Sequence, residues 1–293
     1  MNIRVVRKKI KSIKNVKKIT KAMEMVSAVK MRKAQQLEKE SRPYREGLAD
    51  LISKLAKKVD PSQARLLQVD TSLAKRKLVV VVTSNKGLAG SFNINVLRFF
   101  MAQHKDLNDI DFVTVGDKGA QFFGRLEKAN ILADFSGGNL LLESSALFDF
   151  VLKKFESGLY KTISIVYSQF ISTLRSNPTE SVLLPLTDVE SKSSNDVSYD
   201  TVRNKSLEII IEPSPKIILE ELLKSFIENI IRGALISSEA VEHSSRMMAM
   251  KSATDNATEL IYSFTLLANR LRQEKITNDL LDMVTAKESV EQN

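Results

Sequence analysis

Apolar residues at the start of the chain fall at Ile3, Val6, Ile10, Ile13, Val16, Ile19, Met23 and Val26. The steps are three or four residues, which is the spacing of one helical face. Lys and Arg fill the other faces. The spacing drifts after Ile13, where a strict heptad would put Lys17 on the seam, so a long uniform left-handed supercoil is not assured. Leu48, Leu51, Ile52 and Leu55 continue the helical spacing beyond Pro43, which is expected to kink the helix rather than end it.

The far end repeats the pattern on a larger scale. Apolar positions run through Leu219, Leu222, Phe226, Ile230, Ala234, Val241, Met248, Leu260, Ile261, Phe264, Leu267, Leu271, Ile276, Leu280 and Val284. Pro213 and Pro215 discourage helix before this segment. A helix from 216 to 287 would run about 108 Å at 1.5 Å per residue. A globular domain cannot cover that length, so it needs another long partner, and the first segment supplies one. Met23, Met25 and Met31, and Met247, Met248 and Met250, form two clusters that read mainly as seam packing.

The middle follows another rule. Leu78–Thr83, Phe112–Val115, Thr162–Tyr167 and Leu207–Ile211 are short runs rich in β-branched residues, which predict strands. Asn95–His104, Gly119–Lys128 and Ser145–Glu156 predict helices between them. This alternation predicts an α/β layer with a largely parallel sheet. Residues 187–206 are polar and rich in Ser, Asp and Asn, and read as a loop. The breakers agree with this division. Of ten Gly and six Pro, only Gly233 lies outside the stretch from Pro43 to Pro215. The expected segments are a helix over 1–58, an α/β domain over 75–212 and a second long helix over 214–287.

Charge sharpens the picture. The 293 residues carry a formal net charge of +9. Residues 1–33 hold twelve Lys or Arg against one acid, Glu24, so the basic character sits in one arm. Such an arm suits nucleic acid, an anionic membrane surface or an acidic protein. Its scarcity of Ser and its preponderance of Lys argue against a transit peptide, and charges interrupt every candidate signal-peptide core. The chain is therefore expected to stay in the cytoplasmic compartment. The sequence has no Cys and only His104 and His243. That excludes disulfides, thiol catalysis and a histidine-rich metal site. His243 reads as a surface or seam residue.

Ser84–Ser91 (SNKGLAGS) leaves a strand as a Gly-rich turn. The Lys precedes both glycines, contrary to a phosphate-binding loop, and no GxGxxG occurs. It reads as a structural turn or as a contact loop carrying Lys86. Gly116-Asp117-Lys118-Gly119 reads as a strand-to-helix turn. Asp255 and Glu259 share a helical face and read as solvated surface or as partners of Lys251. No acid–base couple and no Ser–His–Asp arrangement can be argued.

Lys18-Ile19-Thr20-Lys21-Ala22-Met23-Glu24-Met25-Val26-Ser27-Ala28-Val29-Lys30-Met31 resembles the N-terminal signature of the gamma subunits of F-type ATP synthases, and Ser41-Arg42-Pro43-Tyr44 fits it too. Residues 242–256 (EHSSRMMAMKSATDN) are similar to that family's C-terminal signature, followed by Arg272-Gln273-Glu274-Lys275-Ile276-Thr277. The resemblance is strong at both ends and weak in the middle. It implies an antiparallel coiled coil of the N- and C-terminal helices with an inserted Rossmann-like α/β domain. The implied role is a rotor shaft that couples proton flow to ATP synthesis or hydrolysis on other subunits, with no catalytic residue and no cofactor or metal of its own. Implied partners are three alpha and three beta subunits, the epsilon subunit and the c-subunit ring. The implied location is the cytoplasmic face of a bacterial inner membrane, held there only through the complex.

Carried over residue by residue, Lys18, Lys21, Met23 and Lys30 would lie near the acidic lever loops of the beta subunits. Arg272, Gln273 and Thr277 would contact a beta loop deeper in the head. Lys86 stands where the family has an Arg, and Lys cannot make the same two-pronged carboxylate contact. The alternative is a basic coiled-coil protein that binds nucleic acid or lipid and carries an α/β enzyme domain. Against it, no aromatic residue precedes Tyr44 to stack on bases.

Overall fold

The computed structural model describes residues 2–56, 66, 76–126, 129–137, 140–186, 212 and 214–291. The expected strand Leu207–Ile211 and the expected loop 187–206 lie outside them. Two helices dominate: α1 (Ile3–Ala56) and α5 (Pro215–Glu291). Pro43 lies inside α1, which continues through it, as the apolar spacing beyond it predicts. Pro215 occupies the first position of α5, where its missing N–H is harmless.

Between them run β1 (Arg76–Val82), α2 (Phe92–Gln103), β2 (Ile110–Val115), α3 (Asp117–Phe123), β3 (Asn130–Asp134), α4 (Leu140–Glu156), β4 (Tyr160–Ser172) and β5 (Arg175–Leu184). The sheet order is β3-β2-β1-β4-β5. The first four strands are parallel and β5 returns antiparallel to β4. Strands β3 and β5 are additions to the sequence reading. Among the described strands both stand at sheet edges. Pro178 of β5 is tolerated there, because an edge strand can spare a backbone donor.

The chain divides into two compact units. One is formed by the residues up to Ala28 with those from Arg246 on, and the other is Val29–Ser245.

In the Val29–Ser245 unit the core follows from the period of two along β1. Leu78, Val80 and Val82 face one side, among Leu48, Ile52 and Leu55 of α1, Leu147 and Val151 of α4, and Leu219, Leu223 and Phe226 of α5. Val79 and Val81 face the other side, among Phe92, Val96 and Phe100 of α2 and Phe123 of α3. Buried on both faces, β1 reads as a continuous apolar run. Phe100, Phe112 and Phe123 pack ring on ring, with centroids 4.6–5.5 Å apart. The β4–β5 turn is tied to α5 by polar bonds. Phe170 N donates to Ser237 Oγ at 2.8 Å, and Ser244 Oγ donates to the Thr173 carbonyl at 2.6 Å. His243 is buried, which rules out the surface half of its surface-or-seam reading.

At the amino edge of the sheet, Asp111 is buried. It accepts from Tyr160 Oη at 2.7 Å and from Asn130 Nδ2 at 2.9 Å, and it pairs with Arg76. Burial, and then the bond to the Asp111 carboxylate, push the Tyr160 hydroxyl up to about 12.

Candidate functional site

Three surfaces carry the residues singled out by sequence: the paired helices, the end of α5 and the loop after β1.

In the unit that pairs the start of α1 with the end of α5, two contacts fix the direction. Thr20 Oγ1 lies 2.8 Å from Thr254 Oγ1, and Lys9 Nζ lies over the Phe264 ring at 5.8 Å. Advancing along α1 means retreating along α5, so the pair is antiparallel. The buried and half-buried positions of α1 in this unit are Ile3, Val6, Ile10, Ile13, Lys17, Thr20, Glu24 and Ser27, with Ala28 beside the last. Those of α5 include Met247, Met250, Thr254, Ala257, Ile261, Phe264, Ala268 and Leu271. These seam positions step three and four in alternation, the heptad of a left-handed coil, with Ala28, Arg246, Ala249, Ala253 and Leu267 half-buried beside them.

The expected apolar face is thereby corrected. Val16, Ile19, Met23 and Val26 leave the seam and are 39–59% exposed, while Lys17, Thr20, Glu24 and Ser27 take it over. Seam residues keep facing the partner helix only at a 3.5-residue spacing. Two successive steps of three, from Ile13 through Val16 to Ile19, rotate the apolar stripe outward. On α5, Met248 and Leu260 likewise face out. The methionine clusters split, with Met31 and Met250 buried and Met23, Met25 and Met248 exposed.

The two threonines of the seam are satisfied. Thr254 Oγ1 donates to the Met250 carbonyl at 2.8 Å, and the one proton of Thr20 Oγ1 lies between the Lys17 carbonyl at 3.1 Å and Thr254 Oγ1 at 2.8 Å. Lys18 and Met23 are exposed, and exposed Lys21 pairs with Glu24 at 2.9 Å. The lysine end of this pair is open to solvent while Glu24 is half-buried, so the pair is partly screened and contributes little. Lys30 is exposed on the other unit's part of α1.

Ile3 begins α1, and among the residues of α5 up to Lys287 Leu271 is the last half-buried one. Every residue from Arg272 to Lys287 is exposed, including Ile276, Leu280, Leu281, Met283 and Val284 at 52–62%. Arg272, Gln273 and Thr277 lie in this stretch, on about 30 Å of single helix from Arg272 to Glu291. Thr277 Oγ1 donates to the Gln273 carbonyl at 3.0 Å, a local helical bond.

The third surface belongs to the Val29–Ser245 unit. The loop from Ser84 to Ser91 leaves the carboxyl end of β1, at the point where the strand order reverses. Ser84 N donates to Asn93 Oδ1 at 3.0 Å, Asn93 Nδ2 donates to Ser84 Oγ at 2.8 Å, and Ser84 Oγ donates to the Lys86 carbonyl at 2.8 Å. Beside it, Gly116 has φ +101°, and a Cβ there would collide with the Thr83 carbonyl. Gly119 N donates to Thr83 Oγ1 at 2.8 Å. The 116–119 segment is thus the expected strand-to-helix turn. Lys86 is exposed and Ala89 is buried. Sequence reasoning missed Leu88, whose φ is +62° and whose side chain is 63% exposed. Its flanking glycines were the available signal.

Among the described residues no group of His, Asp or Glu could hold a metal ion, and no helix is long and apolar enough to cross a membrane.

Comparison with known proteins places this arrangement. A family model described as ATP synthase matches residues 2–290. The ATP synthase gamma chain of Heliobacterium modesticaldum is 36% identical over 288 residues, covering 96% of this chain and 97% of that protein. That of Pelotomaculum thermopropionicum is 36% identical over 294 residues, covering 99% of each. Among solved structures, a chain of the Euglena gracilis mitochondrial ATP synthase rotor superposes with a TM-score of 0.61 at 18% identity, covering 94% of this chain and 98% of its own. A chain of the Tetrahymena thermophila mitochondrial ATP synthase central stalk and c-ring gives 0.56 at 23% identity, covering 80% and 99%. At these identities the structures share the fold.

Proposed function

We propose, from the premise that the chain belongs to the ATP synthase gamma-chain family, an account of how its residues serve the central rotor stalk. The chain is a peripheral component of that complex and works with the alpha, beta and epsilon subunits and the c-ring. It couples ion flow through the ring to ATP synthesis or hydrolysis at the beta sites. The shaft itself performs no chemistry. The bacterial inner membrane, on its cytoplasmic side, is the proposed location. The alternative of a nucleic-acid- or lipid-binding coiled coil finds no support among the similar proteins.

The observation that supports the account best is the outward apolar surface. Val16, Ile19, Met23 and Val26 stand exposed on α1, and Ile276, Leu280, Leu281, Met283 and Val284 stand exposed on a helix that has lost its partner. Apolar surface of this extent marks an interaction site. A surrounding ring of alpha and beta subunits is the occupant the family implies. Exposed Lys18, Lys21 and Lys30 then meet acidic lever loops of the beta subunits, with Met23 among them. Arg272, Gln273 and Thr277 meet a beta loop deeper in the head, and Lys86 meets a further beta loop from the α/β domain. The working segments are the helix over 1–58, the α/β domain over 75–212 and the helix over 214–287.

The test is gentle purification of the tagged chain from its own membranes. Co-purification of alpha and beta subunits, with ATPase activity that tracks the complex and not the free chain, supports the reading. Recovery alone, or with nucleic acid that salt removes, contradicts it.

A further inference from the structure

Two faces of α1 between Val16 and Ser27 match each other in spacing. Lys17, Thr20, Glu24 and Ser27 line the seam in steps of three, four and three. Val16, Ile19, Met23 and Val26 take the same steps, each one residue earlier, and stand 39–59% exposed. One residue along an α-helix is a turn of about 100°. The seam therefore holds the polar member of two matched stripes, with Lys17 and Glu24 half-buried, while the apolar member faces out. A sequence pattern at odds with its own packing marks a functional section or one with more than one packing.

The surroundings suit a second packing. Opposite the stripe on α5, Met247 and Met250 have flexible side chains that fill uneven gaps, and Ala257 is small enough to take either face. Ile10, Ile13, Val16 and Ile19 step three at a time, the period of a 3₁₀-helix, so about two turns wound that way carry one face into the other. Thr254, through its bond with Thr20 at 2.8 Å, favours the polar stripe.

We propose that α1 has two packings on α5 over residues 16–27: the present one, and a second turned by about 100° in which Val16, Ile19, Met23 and Val26 fill the seam and Lys17 and Glu24 reach solvent. Apolar burial and the release of two half-buried charges favour the second. The threonine bond and regular α-helical winding favour the first. A partner that covers the outward stripe binds only the present packing and so selects it, which couples the outer surface of the helix pair to its seam.

The test uses the full chain, free of any partner, and the chain has no native Cys to interfere. Ser27→Cys with Met247→Cys reports the present packing, and Val26→Cys with Met247→Cys reports the second. Met25→Cys with Met247→Cys reports neither, because Met25 lies off the seam in both. Mild oxidation should close the first two pairs and leave the third open. Thr254→Val should speed closure of the Val26 pair about fivefold by removing the threonine bond, and Ile19→Asn should slow it by a similar factor by removing apolar burial. If the Val26 pair stays open, α1 has one packing here and the proposal is overturned. It is overturned also if the Met25 pair closes as fast as the Val26 pair, which marks fraying, or if neither substitution moves the Val26 rate.

Discussion

The hydroxyls of Thr20 and Thr254 meet at 2.8 Å inside the seam of the paired helices, where both residues are buried. A polar pair at this depth does little for net stability but favours one register, because a slip would part the two hydroxyls and leave each only a carbonyl of its own helix, that of Lys17 for Thr20 and of Met250 for Thr254. The register it sets pairs residues whose numbers sum to about 274.

The first prediction follows directly. Thr20→Val should cost roughly 1 kcal/mol in thermal unfolding, whereas the double replacement Thr20→Val with Thr254→Val should be nearly neutral. A double-mutant cycle with no coupling would show that the hydroxyls do not interact. Register itself can be read by cross-linking, since the chain has no native Cys. Cysteines at Val6 and Ala268 should form a disulfide on oxidation, and cysteines at Val6 and Ile261 should not.

Gly233 is the only glycine in α5, and a Cβ there would overlap the Arg45 guanidinium, which pairs with Glu38 at 2.6 Å. Gly233→Ala should therefore bring no gain in the parent chain, because Arg45 must move away from Glu38. In an Arg45→Ala background the same change should stabilise by about 1 kcal/mol, the ordinary advantage of Ala in a helix. Equal effects in both backgrounds, measured by thermal melts, would refute the packing argument.

Glu180 supplies the pH dependence. Burial works to raise its carboxyl, but bonds from His104 at 3.0 Å and Ser164 at 2.6 Å, with the charges of His104 and Lys77, outweigh burial and hold it below the usual range. A depressed carboxylate contributes stability that is present above its unfolded value near 4.5 and lost as pH falls through its folded value. Glu180→Gln should flatten the acid side of the stability curve below about pH 4.5. An unchanged acid limb in urea titrations would contradict the assignment. At the alkaline end, Tyr160 is raised from 10 to about 12. The stability it contributes is full below pH 10 and is lost between those values, and Tyr160→Phe should remove that loss.

Arg272→Ala should leave the fold intact, since the residue is exposed on a helix without a partner strand. In the assembled complex it should lower ATP turnover by roughly tenfold, the equivalent of about 1.4 kcal/mol of interface energy. Normal assembly with normal turnover would remove Arg272 from the proposed contact.

Legibility in the sequence differed by element. The apolar run Leu78–Val82 announced β1, because a strand buried on both faces needs no polar alternation. Strand β5 was hidden behind Pro178 and polar residues that only an edge position tolerates. The two long helices were plain from their spacing and lack of breakers, but their seam was not. Hydrophobic periodicity counts every apolar residue alike, so Val16, Ile19, Met23 and Val26 looked like the face toward α5. Only the heptad, carried through Lys17 and Thr20, separates residues that meet the partner helix from residues left for something outside the chain. Leu88 was invisible for another reason, since its distinguishing feature is a backbone angle.

The most direct test of the rotor account is to watch the chain turn. A cysteine introduced at exposed Lys105 carries a probe, and the complex is held to a surface through its alpha and beta subunits. Addition of ATP should produce rotation of the probe in one direction, at a rate that rises with ATP turnover. Hydrolysis at full rate with the probe stationary, or wandering without direction, would contradict the account.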